Sequence, residues 1–397
     1  MNNTQRAWAE IDLDSIAHNV REIKKRLKTG VRLMGVVKAD AYGHGYREIA
    51  KTVLESGADC LAVAFIDEAV QLRKSGITVP IMILGNSAEE SIDDLLEYDV
   101  TPAVFTEGFA AALSKRASAL GKTAKIHIKV DTGMHRIGFL YSTDKNEREK
   151  TLKKIIEISQ LPNIEIEGIF SHFSTSDEED TEYTFTQFSR FTELYQRLET
   201  EGLKIPVRHI ANSAALVRFP ELQLDMVRAG VIMYGMYPSN DVDYQGLSLK
   251  PAMKFKTRVI NVKNVDEGAG ISYGRSYVTQ VPQRIATIAV GYADGYSRVL
   301  SGKAWAIVDG VKVKQLGRIC MDQCMIDASS VNNINIGDEV TLFGESGGLN
   351  IPIEDVAEEM GTINYEIACI VGKRIPRIYI KDGKPATSIN YLLPEGE

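Results

Sequence analysis

The sequence predicts an α/β fold, a (β/α)8 barrel of the TIM type followed by a mostly antiparallel β domain. Three observations carry this prediction. Eight short apolar runs of β type alternate with amphipathic helical stretches as far as residue 233. A polar, turn-rich piece, Tyr237-Pro238-Ser239-Asn240-Asp241, then interrupts the rhythm. Beyond it, further β-type runs follow one another through turn signals with little helix between them. The expected division is a barrel over residues 1–245 and a β domain over 246–397.

After a short extended opening, Asp14-Ser15 marks a helix start, and Ile16, Val20, Ile23 and Leu27 recur at helical spacing up to Gly30. The eight strand candidates are residues 31–37, 60–65, 80–84, 101–105, 124–130, 164–170, 207–210 and 226–233. Helices are expected at 46–55, 67–74, 87–98, 108–120, 146–160 and 184–200, with a shorter one after Asn212. Runs that are apolar throughout predict strands covered on both faces, and the helices between them imply right-handed parallel crossovers. Eight such units close a barrel. An open doubly wound sheet is the alternative, but no glycine-rich dinucleotide turn follows the first run.

In the β domain the runs are 253–265, 284–290, 304–308, 311–315, 325–327 and 339–343, with Val308-Asp309-Gly310-Val311 as a two-residue hairpin. Only 353–360 reads as helical there, with Glu354-Asp355 near its start and Gly361 as its stop.

At 397 residues the chain exceeds what one hydrophobic core serves. Its 44% hydrophobic and 25% charged residues are those of a soluble globular protein. The net charge of −7 argues against nucleic acid or an anionic membrane as partner. The opening residues 1–10 have no basic segment followed by an apolar core, so no signal peptide is expected. No run approaches the ~20 apolar residues that span a bilayer. Cys60, Cys320, Cys324 and Cys369 form no paired framework, which fits a reducing cytoplasm. Cys320 and Cys324 are too widely spaced for a CxxC zinc site, so no metal is expected.

Barrel active sites lie at the C-terminal ends of the strands. The residues just past each run are therefore the chemical candidates. The first run leads into Lys38 and Tyr42, within Val36-Val37-Lys38-Ala39-Asp40-Ala41-Tyr42-Gly43-His44-Gly45. A lysine at a buried strand end is costly to desolvate when charged, which depresses its pKa and suits Schiff-base chemistry with an aldehyde cofactor. The alternative is a lysine that snorkels to solvent. The fifth run passes through Lys129 to Arg136, the sixth ends at His172, the seventh meets Asn212-Ser213, and the eighth contains Arg228, followed by Gly230 and Val231. Ser213 at a helix start suits a phosphate, and Gly230 lets backbone approach a ligand. A Schiff-base lysine, a phosphate cradle and arginines for ring heteroatoms together suggest pyridoxal phosphate. In the β domain, loops place Tyr273 and Tyr292 beside glycines, and Cys320, Met321, Asp322 and Tyr365 add further loop positions.

The motifs VVKADAYGHG, KVDTGMHRIGF, SHFS, ANSAA, VRAGVIMYG, SYGR, GYADGY, GRICMDQ and NYE follow one another over almost the whole chain. In this order they resemble the alanine racemases of the barrel-type pyridoxal-phosphate class. The resemblance implies interconversion of L- and D-alanine in the cytoplasm, supplying D-alanine for peptidoglycan. It also implies a homodimer whose sites combine the barrel of one subunit with the β domain of the other. A racemase of the same family acting mainly on serine or another small amino acid is the alternative.

The resemblance implies roles for single residues. Lys38 anchors the cofactor and exchanges the α-proton on one face, with Tyr273 of the partner subunit as the base opposite; two opposed bases are what inversion requires. Arg228 matches the arginine that hydrogen-bonds the pyridine nitrogen, where a permanent cation opposes ring protonation and limits side reactions such as transamination. Tyr42, Ser213, Gly230, Val231 and Tyr365 match phosphate-holding positions, with Asn212 beside them, and His172 the residue alongside the ring. Arg136 and the Met321 N–H match groups at the substrate carboxylate. Lys129 stands where many members carry a carbamate that orients the arginine, and Tyr292 matches the substrate entryway.

Overall fold

The computed structural model describes residues 6–244 and 246–393. The outer limits of the expected domains, residues 1, 245 and 397, lie outside them. Among the described residues two compact units result: Ile16–Ala41 with Tyr46–Lys250, and Tyr42–Gly45 with the described residues up to Ser15 and from Pro251 onward.

The first unit is the expected barrel. Its parallel strands are Arg32–Val36, Cys60–Val63, Ile81–Ile83, Val100–Val104, Ala124–Asp131, Ile164–Phe170, Val207–His209 and Met226–Ala229. Each lies beside the next in chain order, and the last returns to the first with Met226 opposite Arg32. Hydrogen bonds from Asp225 N to Arg208 O and from Arg228 N to Ala211 O close the remaining seam. Leu33, Leu61, Ile81, Val104, Ile128 and Ile169 are wholly buried, as strands covered on both faces must be.

The helices cover the outside through one apolar stripe each. Tyr46–Glu55 buries Ile49, Ala50 and Val53. Its fit against the first strand depends on Gly35, where a Cβ would stand 2.7 Å from Val53 Cγ1. Glu107–Leu120 is capped by the Thr106 side chain, which accepts from Phe109 N, and ends at left-handed Gly121.

Three local expectations differ from the structure. The helix start lies at Asp12, whose carboxylate accepts from Asp14 N, Ser15 N and Ser15 Oγ, so Leu13–Lys25 is helical from one residue before Asp14. The 87–98 helix divides into a 3-10 turn, Glu89–Ser91, and Ile92–Glu97. The last run breaks at Gly230, whose φ of −117° and ψ of −104° turn the chain from Met226–Ala229 into the 3-10 turn Val231–Tyr234.

The second unit is the expected mostly antiparallel sheet. Met253–Val265 pairs with Gln283–Ile288, which pairs with Cys324–Asp327. The Trp305–Val308 and Val311–Leu316 hairpin turns on Asp309 and Gly310, both at positive φ, with Val308 opposite Val311. The opening strand Ala7–Asp12, which the sequence expectation counts with the barrel, lies in this sheet between antiparallel Met253–Val265 and parallel Arg377–Lys381. Burial of Trp8 and Ile11 there supplies the physical reason. Beyond Ile353–Met360 a second helix, Asn364–Ile370, and the strands Leu349–Ile351 and Lys384–Ile389 were not expected. Among the described residues no helix is long and apolar enough to cross a membrane.

Candidate active site

Lys38 stands, half-buried, two residues past the end of Arg32–Val36. The four residues after it, Ala39, Asp40, Ala41 and Tyr42, all have φ near +53°. L-residues adopt this left-handed region at a cost of about 1 kcal/mol or more each. The turn is held by identifiable groups. Glu68 accepts from Ala39 N at 2.6 Å through one carboxylate oxygen and from Ala64 N at 2.7 Å through the other, and Asp40 Oδ1 accepts from Tyr46 N at 2.8 Å. Glu68 had no role in the sequence reading, because nothing local distinguishes it from any acidic residue in a first helical turn.

Across the barrel, Arg228 is 4% exposed, and both of its terminal nitrogens are hydrogen-bonded. NH1 donates to His209 Nδ1 at 2.8 Å. NH2 donates to Ser171 O at 2.8 Å, Ile210 O at 3.0 Å and His172 Nδ1 at 3.1 Å. Its Nε makes no hydrogen bond to any described residue, so that donor is available to a ligand atom. Burial, and then the Arg136 cation, lower the Arg228 pKa to about 9, so it remains a cation at pH 7. Phe170 lies under the guanidinium, 5.5 Å from ring centroid to Cζ. His172 accepts at Nδ1 and therefore carries its proton at Nε2; burial, then Arg228 and Lys129, hold its pKa well below the usual range.

Lys129 is 4% exposed, donates to Val130 O at 2.9 Å and lies 5.2 Å from the Phe170 centroid. Burial first, then Arg228, brings its pKa down to about 7. A substantial neutral fraction follows near pH 7, which is the nucleophilic form. The loop beyond is shaped by Asp131, whose Oδ1 accepts from Gly133 N and His135 N. It delivers Arg136 to an exposed position.

Asn212 caps Ser213–Arg218, accepting from Ala215 N at Oδ1. Ser213 Oγ accepts from Gly230 N at 2.9 Å, so its own hydrogen is free to serve an anionic acceptor. Val231, 1% exposed, opens the next turn.

The second unit carries the other candidates. Tyr273 opens the turn Tyr273–Arg275 and is 70% exposed. Ser272, Gly274 and Arg275 around it all have positive φ, and Ser272 Oγ donates to Arg318 O at 2.6 Å. Gly317 rests against this turn so closely that a Cβ would stand 2.7 Å from Ile271 O. An open hollow of about 880 Å³ adjoins Tyr273, lined also by Ser272, Cys320, Gln323 and Met325. Met321 is exposed, its carbonyl accepts from Ala293 N at 3.1 Å, and its amide makes no hydrogen bond to any described residue. The neighbouring Tyr292 N donates to Cys320 O at 3.0 Å. Arg374 donates to Asp322 at 2.7 Å and lies 3.6 Å from wholly buried Asp294, which Arg6 grips with both terminal nitrogens. This network, also unforeseen, ties the Tyr292 and Met321 loops together. Tyr42 is buried, and its ring lies 6.1 Å from that of Tyr365 at 46°. Among the described residues no group of three His, Cys, Asp or Glu could hold a metal ion.

Comparison with known proteins accounts for both units. The alanine racemase N-terminal domain family matches residues 11–238, and the alanine racemase C-terminal domain family matches 252–379. The alanine racemase of Clostridium perfringens is 50% identical over 385 residues, 97% of this chain and 98% of its own length. The solved alanine racemase of Clostridium difficile 630 is 40% identical with a TM-score of 0.93, over 98% of this chain and all of that one. That of Bacillus anthracis, solved with bound L-Ala-P, is 40% identical with a TM-score of 0.91, over 99% of each chain.

Proposed function

The chain belongs to the alanine racemase family, and from that premise we propose that it interconverts L- and D-alanine with pyridoxal phosphate, at sites that each join the barrel of one subunit to the β unit of another. The observation that carries the reading is the donor set around Arg228. A Schiff-base chemist needs an amine at Lys38, and the cation opposite, with Nε unengaged, suits a ring nitrogen kept unprotonated. A carboxylate in that place would favour the protonated ring instead.

The other groups fit the same cofactor. Ser213 presents its hydroxyl and Val231 its turn amide to a phosphate, at the turn made by Gly230, whose own amide holds Ser213 Oγ; Asn212 fixes the helix start, and Tyr42 and Tyr365 add phenols. When bound, pyridoxal phosphate supplies the electron sink that makes the α-hydrogen of an amino acid acidic. Lys38 holds that group, then takes or returns the α-proton on one face. Tyr273 of the partner subunit does the same on the other face, and its exposure in a single chain is what a group given to a neighbour requires. His172, protonated at Nε2, offers a donor to that phenol. Arg136 and the Met321 amide orient the substrate carboxylate, and Lys129, once carbamylated, turns from a cation that repels Arg136 into an anion that attracts it.

A circular-dichroism assay tests the reading. L-Alanine should lose its optical signal at a rate well above that of L-serine, and the purified protein should show the visible band of bound pyridoxal phosphate. Faster conversion of serine would move the substrate to the alternative, and no conversion of either would remove the proposal.

A further inference from the structure

Two buried histidines and a half-buried glutamate lead away from Arg228 without a place in the mechanism above. Arg228 can only donate, so His209 Nδ1, 2.8 Å from NH1, must accept. A neutral ring accepting at Nδ1 carries its proton at Nε2, and His209 Nε2 lies 2.8 Å from His127 Nδ1. His127 is thereby also an acceptor at Nδ1 and a donor at Nε2, which faces Glu167 Oε2 at 3.3 Å. One assignment of protons satisfies every link. We infer that Glu167 is a positioning residue for Arg228, acting through the one-way chain Arg228–His209–His127–Glu167, which fixes both tautomers and keeps the guanidinium aimed at the cofactor ring; the inference rests on the reading of Arg228 given above.

The backbone is arranged around this chain. Ile126 pairs with Ile166 and His127 with Gly168, so Glu167 is the extra residue of a β-bulge. The bulge turns its carboxylate to the His127 ring. Gly168 has no positive φ to explain it; its need is space, because a Cβ there would stand 2.4 Å from His127 Cε1 and 2.5 Å from Nδ1. Phe170 stacks on His209 at 4.9 Å and 2°, fixing that ring's plane. His127 and His209 are 3% and 0% exposed, and burial holds both below the ordinary histidine pKa, hence neutral. The His127 hydrogen bond holds the Glu167 carboxyl below its usual range, hence ionised. An anion at the far end polarises each ring in turn and makes His209 Nδ1 a stronger acceptor for Arg228. Lys125, 4.0 Å from the other carboxylate oxygen, is exposed and competes weakly.

The test is nitrogen NMR of the full chain labelled at its six histidines, with and without pyridoxal phosphate, alongside racemisation kinetics. In the wild type His127 and His209 should both be neutral with the proton on Nε2. Glu167→Ala should shift the ring nitrogens of His209, which residue 167 does not touch, and lower kcat about tenfold with KM for L-alanine little changed. Glu167→Gln keeps an acceptor without the charge, so it should retain both tautomers and lose less. Gly168→Ala should disturb His127 first. A proton on Nδ1 of His127 or His209 in the wild type, His209 signals unmoved in Glu167→Ala, or an unchanged kcat would each overturn the inference. The wild-type tautomers are read without any variant and without cofactor. Correct tautomers in a protein that racemises nothing would therefore remove the reading of the site and leave the chain; wrong tautomers in an active racemase would remove the chain alone.

Discussion

The two units hold their candidate residues in opposite ways. In the barrel, Arg228 and Lys129 are nearly wholly buried, and Arg228 is bonded to its neighbours through both terminal nitrogens. In the β unit, Tyr273 and Met321 sit on turns at 70% and 52% exposure, and the bonds of that region hold the backbone while leaving the Tyr273 side chain outward. The barrel thus fixes charges, and the β unit leaves its candidate side chains open to solvent. The proposed reaction, with two bases on opposite faces, would gain from this division, since one base would be held rigidly and the other supplied by a partner subunit.

The sharpest way to break the comparison is at its buried end. Lys38→Ala should abolish racemisation, by about 10⁴-fold or more, because anchoring and proton transfer are lost together. Borohydride reduction of the wild type should fix the cofactor to the peptide that contains Lys38, and label on any other lysine would remove the assignment. Tyr273→Phe removes the base on the presented side alone. Exchange of the α-hydrogen for deuterium should then fall about 10²- to 10⁴-fold from L-alanine and far less from D-alanine; equal losses would mean that one group serves both faces.

The next test asks whether the presented side belongs to a second chain. Lys38→Ala and Tyr273→Phe subunits, mixed and allowed to exchange, should recover about a quarter of wild-type activity, since random pairing makes half the dimers mixed and gives each one intact site. No recovery would place both bases within one chain.

A smaller effect concerns Lys129. Only a neutral amine adds carbon dioxide, and burial brings this lysine to about 7. Carbamate should accordingly increase from pH 6 to pH 8, seen as a carbon-NMR signal from labelled bicarbonate that is absent in Lys129→Ala. The same shift sets a stability trend in bicarbonate-free protein. Between about 7 and the ordinary lysine value of 10.5, the unfolded chain holds a proton that the folded chain has released. Stability from this group therefore rises with pH across that window and is lowest below it. Thermal unfolding of the wild type against Lys129→Met measures the difference.

Legibility in the sequence followed the range of the interactions involved. Tyr46–Glu55 and Met253–Val265 could be read to the residue, and the Asp309-Gly310 hairpin from its turn chemistry, because their causes are local. The sheet that receives Ala7–Asp12 could not, since its partners Met253–Val265 and Arg377–Lys381 are over two hundred residues away. Helix Asn364–Ile370 is short and lacks a side-chain cap, so it leaves little pattern. Within the candidate site, strand-end position singled out Lys38, Arg136, His172 and Arg228. His127 and His209 lay inside runs that read only as strand, and what makes them functional candidates is a hydrogen-bond chain that exists only after folding.

Glu68 offers the finest test of how the buried half is kept rigid. Its two carboxylate oxygens bridge the ends of neighbouring strands, holding Ala39 N and Ala64 N, and the first of these begins the left-handed turn that follows Lys38. Four consecutive residues at positive φ are a strained arrangement, so the turn depends on whatever holds its ends. Glu68→Ala removes both bonds but leaves the strands and core intact. Because Glu68 is only half-buried, water replaces part of what is lost, and the stability cost should be about 1 kcal/mol. The larger consequence falls on geometry. A Lys38 amine no longer held at one height should lower kcat several-fold while cofactor affinity, set by the phosphate and ring contacts, changes little. Glu68→Gln, which keeps one acceptor and offers a donor where Ala39 or Ala64 also donates, should lie between the wild type and Glu68→Ala. A kcat unchanged in Glu68→Ala would show that the turn holds itself, and that the barrel's rigidity at Lys38 comes from the chain on either side of it.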